Sequence, residues 1–328
     1  MAGSASFQPS AREPGKEARS LTSLVLPGRL NEFAVIFVSI VLQSLPFLLI
    51  GVFASGFVQQ YLSEQTVARW LPRKRLPVVL LSSVFGFVAP VCDCGVIPLA
   101  RRLNAKGVPA YAAITFILAA PVVNPVVLLS TAFAFQGSAK IVGLRLAMTL
   151  SVAIVVGLAA SVLFPGAPSL APAGAPIRGG GLDEDAPPPA TARGARGLVR
   201  YATAEFFDVI FFIILGALFT AATQTLVPRG DLTTIGSNPT LSVLALMPVA
   251  TLLSICSEAD AFVARAFAST FSVGAILAFM TIGQIIDLRN GFLLFRMLRA
   301  RLTALIAIVS YALVLVEGLL INMVMPTL

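Results

Sequence analysis

The chain is 328 residues long; 57% of them are hydrophobic and 12% charged, the mean hydropathy is +0.92 and the formal net charge is +8. A soluble domain carries about 25% charged residues, so this composition excludes an ordinary water-soluble protein, and without a clustered basic face interleaved with aromatics it excludes a nucleic-acid binder. Three cysteines exclude a disulfide framework, and there is no histidine.

In chain order, residues 1–30 are polar and charged and are expected to form a disordered cytoplasmic tail. Low-charge runs follow, each near the length of about 20 residues that crosses a bilayer. Residues 33–62 carry no charge, and residues 76–100 carry only Asp93. Residues 107–139, 146–164, 209–227, 238–257 and 266–286 carry none, and residues 302–325 carry only Glu317. The fold predicted is an all-α polytopic membrane protein of about eight transmembrane helices in two four-helix repeats, with broken or re-entrant motif segments. Between the fourth and fifth runs lies a stretch rich in proline and glycine, with an acidic cluster at Asp183-Glu184-Asp185. Such a composition buries too little apolar surface to offset its ordering entropy. The organisation expected is therefore a first membrane repeat at 31–164, a flexible linker at 165–199 and a second membrane repeat at 200–328.

The halves align on polar landmarks in one order. Cys92 falls on Cys256, Ala100 on Ala264 and Arg101 on Arg265; with a one-residue slip Phe116 falls on Phe279 and Asn124 on Asp287. Arg145-Leu146 matches Arg301-Leu302, and Phe47 and Gly51 match Phe212 and Gly216. Duplication with a site at the repeat interface is typical of secondary transporters. The predicted location is the cell (inner) membrane, multi-pass, with the N-terminus and the linker both cytoplasmic because both carry basic residues. Counted over all loops, however, the Lys/Arg bias nearly cancels. An odd number of crossings per half would make the repeats inverted; the residues leave that open.

The chemistry concentrates in Pro90-Val91-Cys92-Asp93-Cys94-Gly95-Val96-Ile97-Pro98, where two thiols flank a carboxylate inside an apolar run. An ionisable group in hydrocarbon is costly and by default a functional candidate. On an ideal helix residues two apart diverge by about 200°, so Cys92 and Cys94 converge on one ion only if the backbone is unwound. Pro90, Gly95 and Pro98 are the residues expected to break a helix there. Glu258 and Asp260, just after Cys256, have the same spacing and the same requirement. The bland readings are a small buried hydrophobe for a lone cysteine, headgroup capping for Glu258 and Asp260, a kink for Asn124-Pro125, and a loop for Asp287 and Arg289. Arg101, Arg102 and Arg265 read as interfacial anchors that could also pair the acids. Thiols favour soft partners: trivalent metalloids, cuprous ion or sulfur-held zinc. A G-x-x-x-x-G-K-[ST] phosphate loop is absent, so transport would draw on an ion gradient or a partner.

These segments resemble the YraQ-type predicted permeases, relatives of the ArsP organoarsenical efflux permeases. The resemblance rests on residues 90–100, Lys106-Gly107, the Phe116–Pro125 block, Cys256–Phe262 and Ile285–Asn290. It covers about residues 30–164 and 200–325. It implies an eight-helix permease with motif positions at Cys92, Cys94, Gly95, Pro98, Pro121, Asn124, Pro125, Cys256, Glu258, Asp260, Asp287 and Arg289. Two departures stand out: Asp93 where the family commonly has Ser, and Gly283-Gln284 where it commonly has Gly-Pro. The function expected is a non-enzymatic permease for a thiophilic metal or metalloid species, or a related small solute, in the efflux direction. Cys92, Cys94 and Cys256 are its metal-binding candidates, and Asp93, Glu258 and Asp260 would compensate charge or carry protons. No cofactor is expected. The partners expected are the lipid bilayer, the solute, and an accessory membrane or metal-binding protein. The alternatives are a membrane thiol-redox protein and a membrane subunit of a metal-handling complex.

Overall fold

The computed structural model describes residues 30–46, 48–53, 72, 74–87, 91, 93–164, 195–226, 238–268, 270–298 and 300–325. The expected tail and most of the expected linker lie outside these residues. Every element among them is a helix. In chain order they are α1 (Leu30–Phe53), α2 (Arg75–Val84, continued by a 3-10 turn at Phe85–Phe87), α3 (Asp93–Ala105), α4 (Ala110–Val123), α5 (Pro125–Ala134), α6 (Ala139–Leu163), α7 (Ala195–Leu226), α8 (Pro239–Leu253), α9 (Asp260–Phe267), α10 (Val273–Ile285), α11 (Leu288–Met297) and α12 (Ala300–Val324). Helix α7 starts at Ala195, inside the stretch read as linker.

Among the described residues, three helices are long and apolar enough to cross a membrane: α1, α6 and α12. The pair α4–α5, bent by 40° at its break, counts as a fourth. Helices α6 and α12 have 25 residues each. At about 1.5 Å per residue they span about 37 Å, more than the hydrocarbon core of about 30 Å. Of the other low-charge runs, 209–227 falls almost wholly in α7, which has 32 residues, and the rest hold shorter helices. Helix α2 has 10 residues, α8 has 15 and α10 has 13. The run 76–100 and the charge-poor stretch 238–286 are thus divided among short helices rather than filled by full-length spans.

The break between α4 and α5 has a local cause. Pro125 opens α5, and the residue before a proline is pushed out of helical geometry; Asn124 sits at φ −56°, ψ 126°. Its side chain then accepts from the Val126 N–H at 3.0 Å and caps the new helix. Asp287 does the same for α11, accepting from the Asn290 N–H.

The core is built on α4 and α10. Residues 112–123 of α4 and every residue of α10 are buried, as expected for helices apolar on all sides. Helices α2, α3, α5 and α6 pack on α4; α8, α9 and α12 pack on α10; and α4 meets α10 while α6 meets α12. Small residues permit the closest crossings. A Cβ on Gly157 of α6 would collide with Thr115 of α4 and press on Val79 of α2. A Cβ on Gly318 of α12 would press on Val243 of α8 and touch Ala278 of α10. Gly51 of α1 lies directly against the backbone of Gly95 in α3.

Candidate functional site

The site begins where α8 stops. Ser254 takes a left-handed conformation at φ 48° and ends that helix, and the chain runs through residues 255–259 before α9 starts at Asp260. Backbone groups freed where a helix breaks need partners, and the segment finds them partly in another helix and partly in itself. Gln224 of α7 donates to the Leu253 carbonyl at 2.8 Å. Gln43 of α1 donates to Cys256 Sγ at 2.7 Å. The Ala259 and Asp260 N–H groups both donate to the Cys256 carbonyl at 3.0 Å.

An arginine clamps this segment. Arg145, fully buried on α6, donates through Nη2 to Asp260 Oδ2 at 2.7 Å and to the Ser257 carbonyl at 3.5 Å. Its Nη1 donates to Thr131 Oγ1 of α5 at 2.7 Å and faces Met280 Sδ of α10 at 3.8 Å. Gln284 of α10 donates its Nε2 to the same Asp260 Oδ2 at 2.7 Å. Four helices from both halves therefore meet at one ion pair. Taking two charges out of water costs several kcal/mol each, and only good geometry and further hydrogen bonds offset that. The network is also unfinished. Asp260 Oδ1, Gln284 Oε1, Ser257 Oγ, Glu258 Oε1 and Arg145 Nε are buried with no hydrogen-bond partner. Buried polar groups are normally paired, so the open acceptors and donor of this segment mark it as the candidate site.

The structure brings only part of the predicted set together. Cys256, Glu258 and Asp260 share the broken segment. Cys92 lies outside the described residues, and of Cys94 and Arg289 only the backbone, in α3 and α11, is described. Asp93 is buried in the first turn of α3. The expected unwinding at 90–98 is not present from Asp93 onward: α3 runs through Gly95 and Pro98. Proline inside a helix costs about 3 kcal/mol, and the packing of α3 on α4 and α7 outweighs it here. Pro121 lies inside buried α4, and Asn124, Pro125 and Asp287 serve the helix starts described above. Arg265, read as a pairing candidate for the acids, is exposed and sits over the Phe135 ring at 5.9 Å. Arg145 takes that role instead. The sequence offers Arg145 only as a repeat landmark, Ser257 only as part of the Cys256–Phe262 block, and gives no signal for Thr131. Among the described residues, no group of three or more His, Cys, Asp or Glu is placed to hold a metal ion.

Comparison with known proteins now bears on this arrangement. The family model ArsP_1, described as a predicted permease, matches residues 29–323. The chain belongs to this predicted permease family. The permease is 38% identical over 289 residues to the UPF0718 protein YcgR of Bacillus subtilis strain 168, covering 88% of this chain and 96% of that one. It is 35% identical over 273 residues to a putative two-component membrane permease complex subunit of Streptococcus mutans serotype c, covering 81% and 86%. No solved structure matches. The permease is a membrane transporter rather than an enzyme.

Proposed function

We propose that the permease passes a thiophilic metal or metalloid species, or a related small solute, outward through the broken segment at Ser254–Asp260. The observation that carries this reading is the unfinished network around Arg145 and Asp260, which adjoins the half-buried Cys256 thiol. Sulfur selects soft solutes, and nearby carboxylates offset positive charge. Cys92 and Cys94 enter from the sequence alone.

The same reading treats the chain as two copies of one unit. Three pairs of boundaries support it: Arg75 and Pro239 open α2 and α8, Pro125 and Leu288 open α5 and α11, and Ala139 and Ala300 open α6 and α12. Buried positions support it too. Ile141, Arg145, Thr149, Ala153 and Gly157 of α6 fall on Leu302, Ile306, Ser310, Val314 and Gly318 of α12. The contact of Gly157 with Thr115 and Val79 recurs as Gly318 with Ala278 and Val243. In this register Arg301 corresponds to Lys140, and Arg145 to Ile306. The Streptococcus relative's description as a complex subunit supports an accessory membrane partner for this chain.

Flux into everted vesicles, measured over arsenite, antimonite, cuprous and zinc ions, tests the substrate class. The expected result is saturable accumulation of a soft species, lost in a Cys92→Ser/Cys94→Ser double variant that still inserts. Full activity in that variant removes the thiol site.

A further inference from the structure

We infer that the two halves are inverted in the membrane, and that α2–α3 and α8–α9 are hairpins entering from opposite faces, with their candidate residues at the inner ends. This rests on the repeat reading above, since it concerns how the two copies are related.

Helix direction carries the argument. Helices α6 and α12 occupy corresponding places and pack on each other. Ser151, at the middle of α6, donates to Glu317, in the second half of α12. Ala160 and Phe164, at the far end of α6, line a cavity of about 230 Å³ with Leu302, at the beginning of α12. As α6 advances α12 retreats, so the corresponding helices are antiparallel. An axis relating them lies across the helices, in the membrane plane; parallel copies would put both in one direction.

The remaining ends agree. Pro109, Ala110 and Tyr111 line the same cavity, so α4 starts at the face where α6 ends. Arg75, the first residue of α2, donates to the Ser161 carbonyl near the end of α6 at 3.0 Å, so α2 starts there as well. Helix α3 returns to that face, because only residues 106–109 separate it from α4. The second half repeats this at the opposite face. Asn322, near the end of α12, accepts from the Gly274 N–H at the start of α10 at 2.8 Å and donates to the Pro239 carbonyl at the start of α8 at 3.2 Å. Helix α9 ends at Phe267, shortly before α10 starts, and so returns to that face. Arms of 8 to 15 residues reach about 12–22 Å, from less than half a bilayer to slightly more than half. Asp93 therefore opens the inner end of one hairpin, and Ser254–Asp260 form the inner end of the other. Re-entrant segments of this kind are tolerated where they are buried in protein or line a cavity, and sites at the interface of inverted repeats are the rule in transporters built this way.

The wild-type chain carries its own reporters. Its lysines are Lys16, Lys74, Lys106 and Lys140. Lys74 precedes α2, Lys106 follows α3, and Lys140 lies at the start of α6. A membrane-impermeant amine reagent, applied to intact cells and to everted vesicles and read by mass spectrometry, should modify Lys74 and Lys106 from one side and Lys140 from the other. Eight full spans would instead place Lys74 with Lys140, and that pairing overturns the hairpins. Arg301→Lys adds a reporter at the position corresponding to Lys140. It should be modified together with Lys74 and Lys106; modification from the side of Lys140 overturns the inversion. The pattern reads helix direction alone. Failure of the permease reading would show as absent flux in the same vesicles with the labelling pattern intact.

Discussion

Asp260 has one carboxylate oxygen held by two donors, Arg145 and Gln284, and one with none. Removing its charge while Arg145 stays buried leaves an uncompensated cation, which costs about 3–5 kcal/mol. We therefore expect Asp260→Asn to lose transport and to lower the amount of protein in the membrane. Replacing both partners by apolar groups is often neutral for stability. An Arg145→Met/Asp260→Leu double variant should recover its membrane amount, read by quantitative immunoblot, yet remain inactive in flux assays. A double variant that transports like wild type would reduce the pair to a structural role. Asp260 was legible as a candidate because Glu258 and Asp260 repeat, just after Cys256, the two-apart spacing of Cys92 and Cys94. Arg145 was not, because it stands between two uncharged runs, where a loop anchor also stands. What marks it is the face it shares: Ile141, Met148, Thr149 and Val152 recur around it at helical spacing, and all are buried.

Among the elements, low charge located apolar runs but not how each is divided. Thirty-three uncharged residues from 107 to 139 hold two helices and a turn, because Asn124-Pro125 ends one helix and caps the next. That break was legible in proline chemistry. The helical course of α3 through Pro98 was not, because tertiary packing overrode the local cost. Glycines make a test at this scale. A Cβ on Gly274 of α10 would run into the Gly318 carbonyl of α12, a backbone atom with no rotamer to escape into, whereas a Cβ on Gly143 of α6 meets nothing within 4 Å. Gly274→Ala should lower the midpoint of thermal unfolding in detergent. Gly143→Ala should leave it unchanged or raise it slightly, since alanine favours a helix by about 1 kcal/mol over glycine. Equal midpoints for the two variants would contradict the close crossing of α10 and α12.

For the whole molecule, hairpins resolve a charge distribution that eight full spans leave balanced. Among the described residues, Lys74, Arg75, Arg102, Lys106 and Arg301 fall on the face where α6 ends, and Lys140 and Arg265 on the other. Short loops rich in Lys and Arg stay in the cytoplasm, so the first face is the one expected inside. In intact cells an impermeant amine reagent should reach Lys140 and spare Lys74 and Lys106; the reverse pattern would turn the molecule over. The sequence showed the cations but not their side, because side depends on whether a run crosses or returns. The buried ion pair has a last consequence. A molecule with perfect two-fold symmetry would have inward-open and outward-open forms of equal energy, each the other seen upside down. Arg145 and Asp260 correspond to Ile306 and Val96, so the charged latch has no counterpart in the other half, and a form that kept it would differ in energy from one that broke it. Each 1.4 kcal/mol of such imbalance, about tenfold in population, gives the resting protein a preferred side. A solute that draws Asp260 away from Arg145 would offset that preference while it is bound, and the empty carrier would relax back to the latched form.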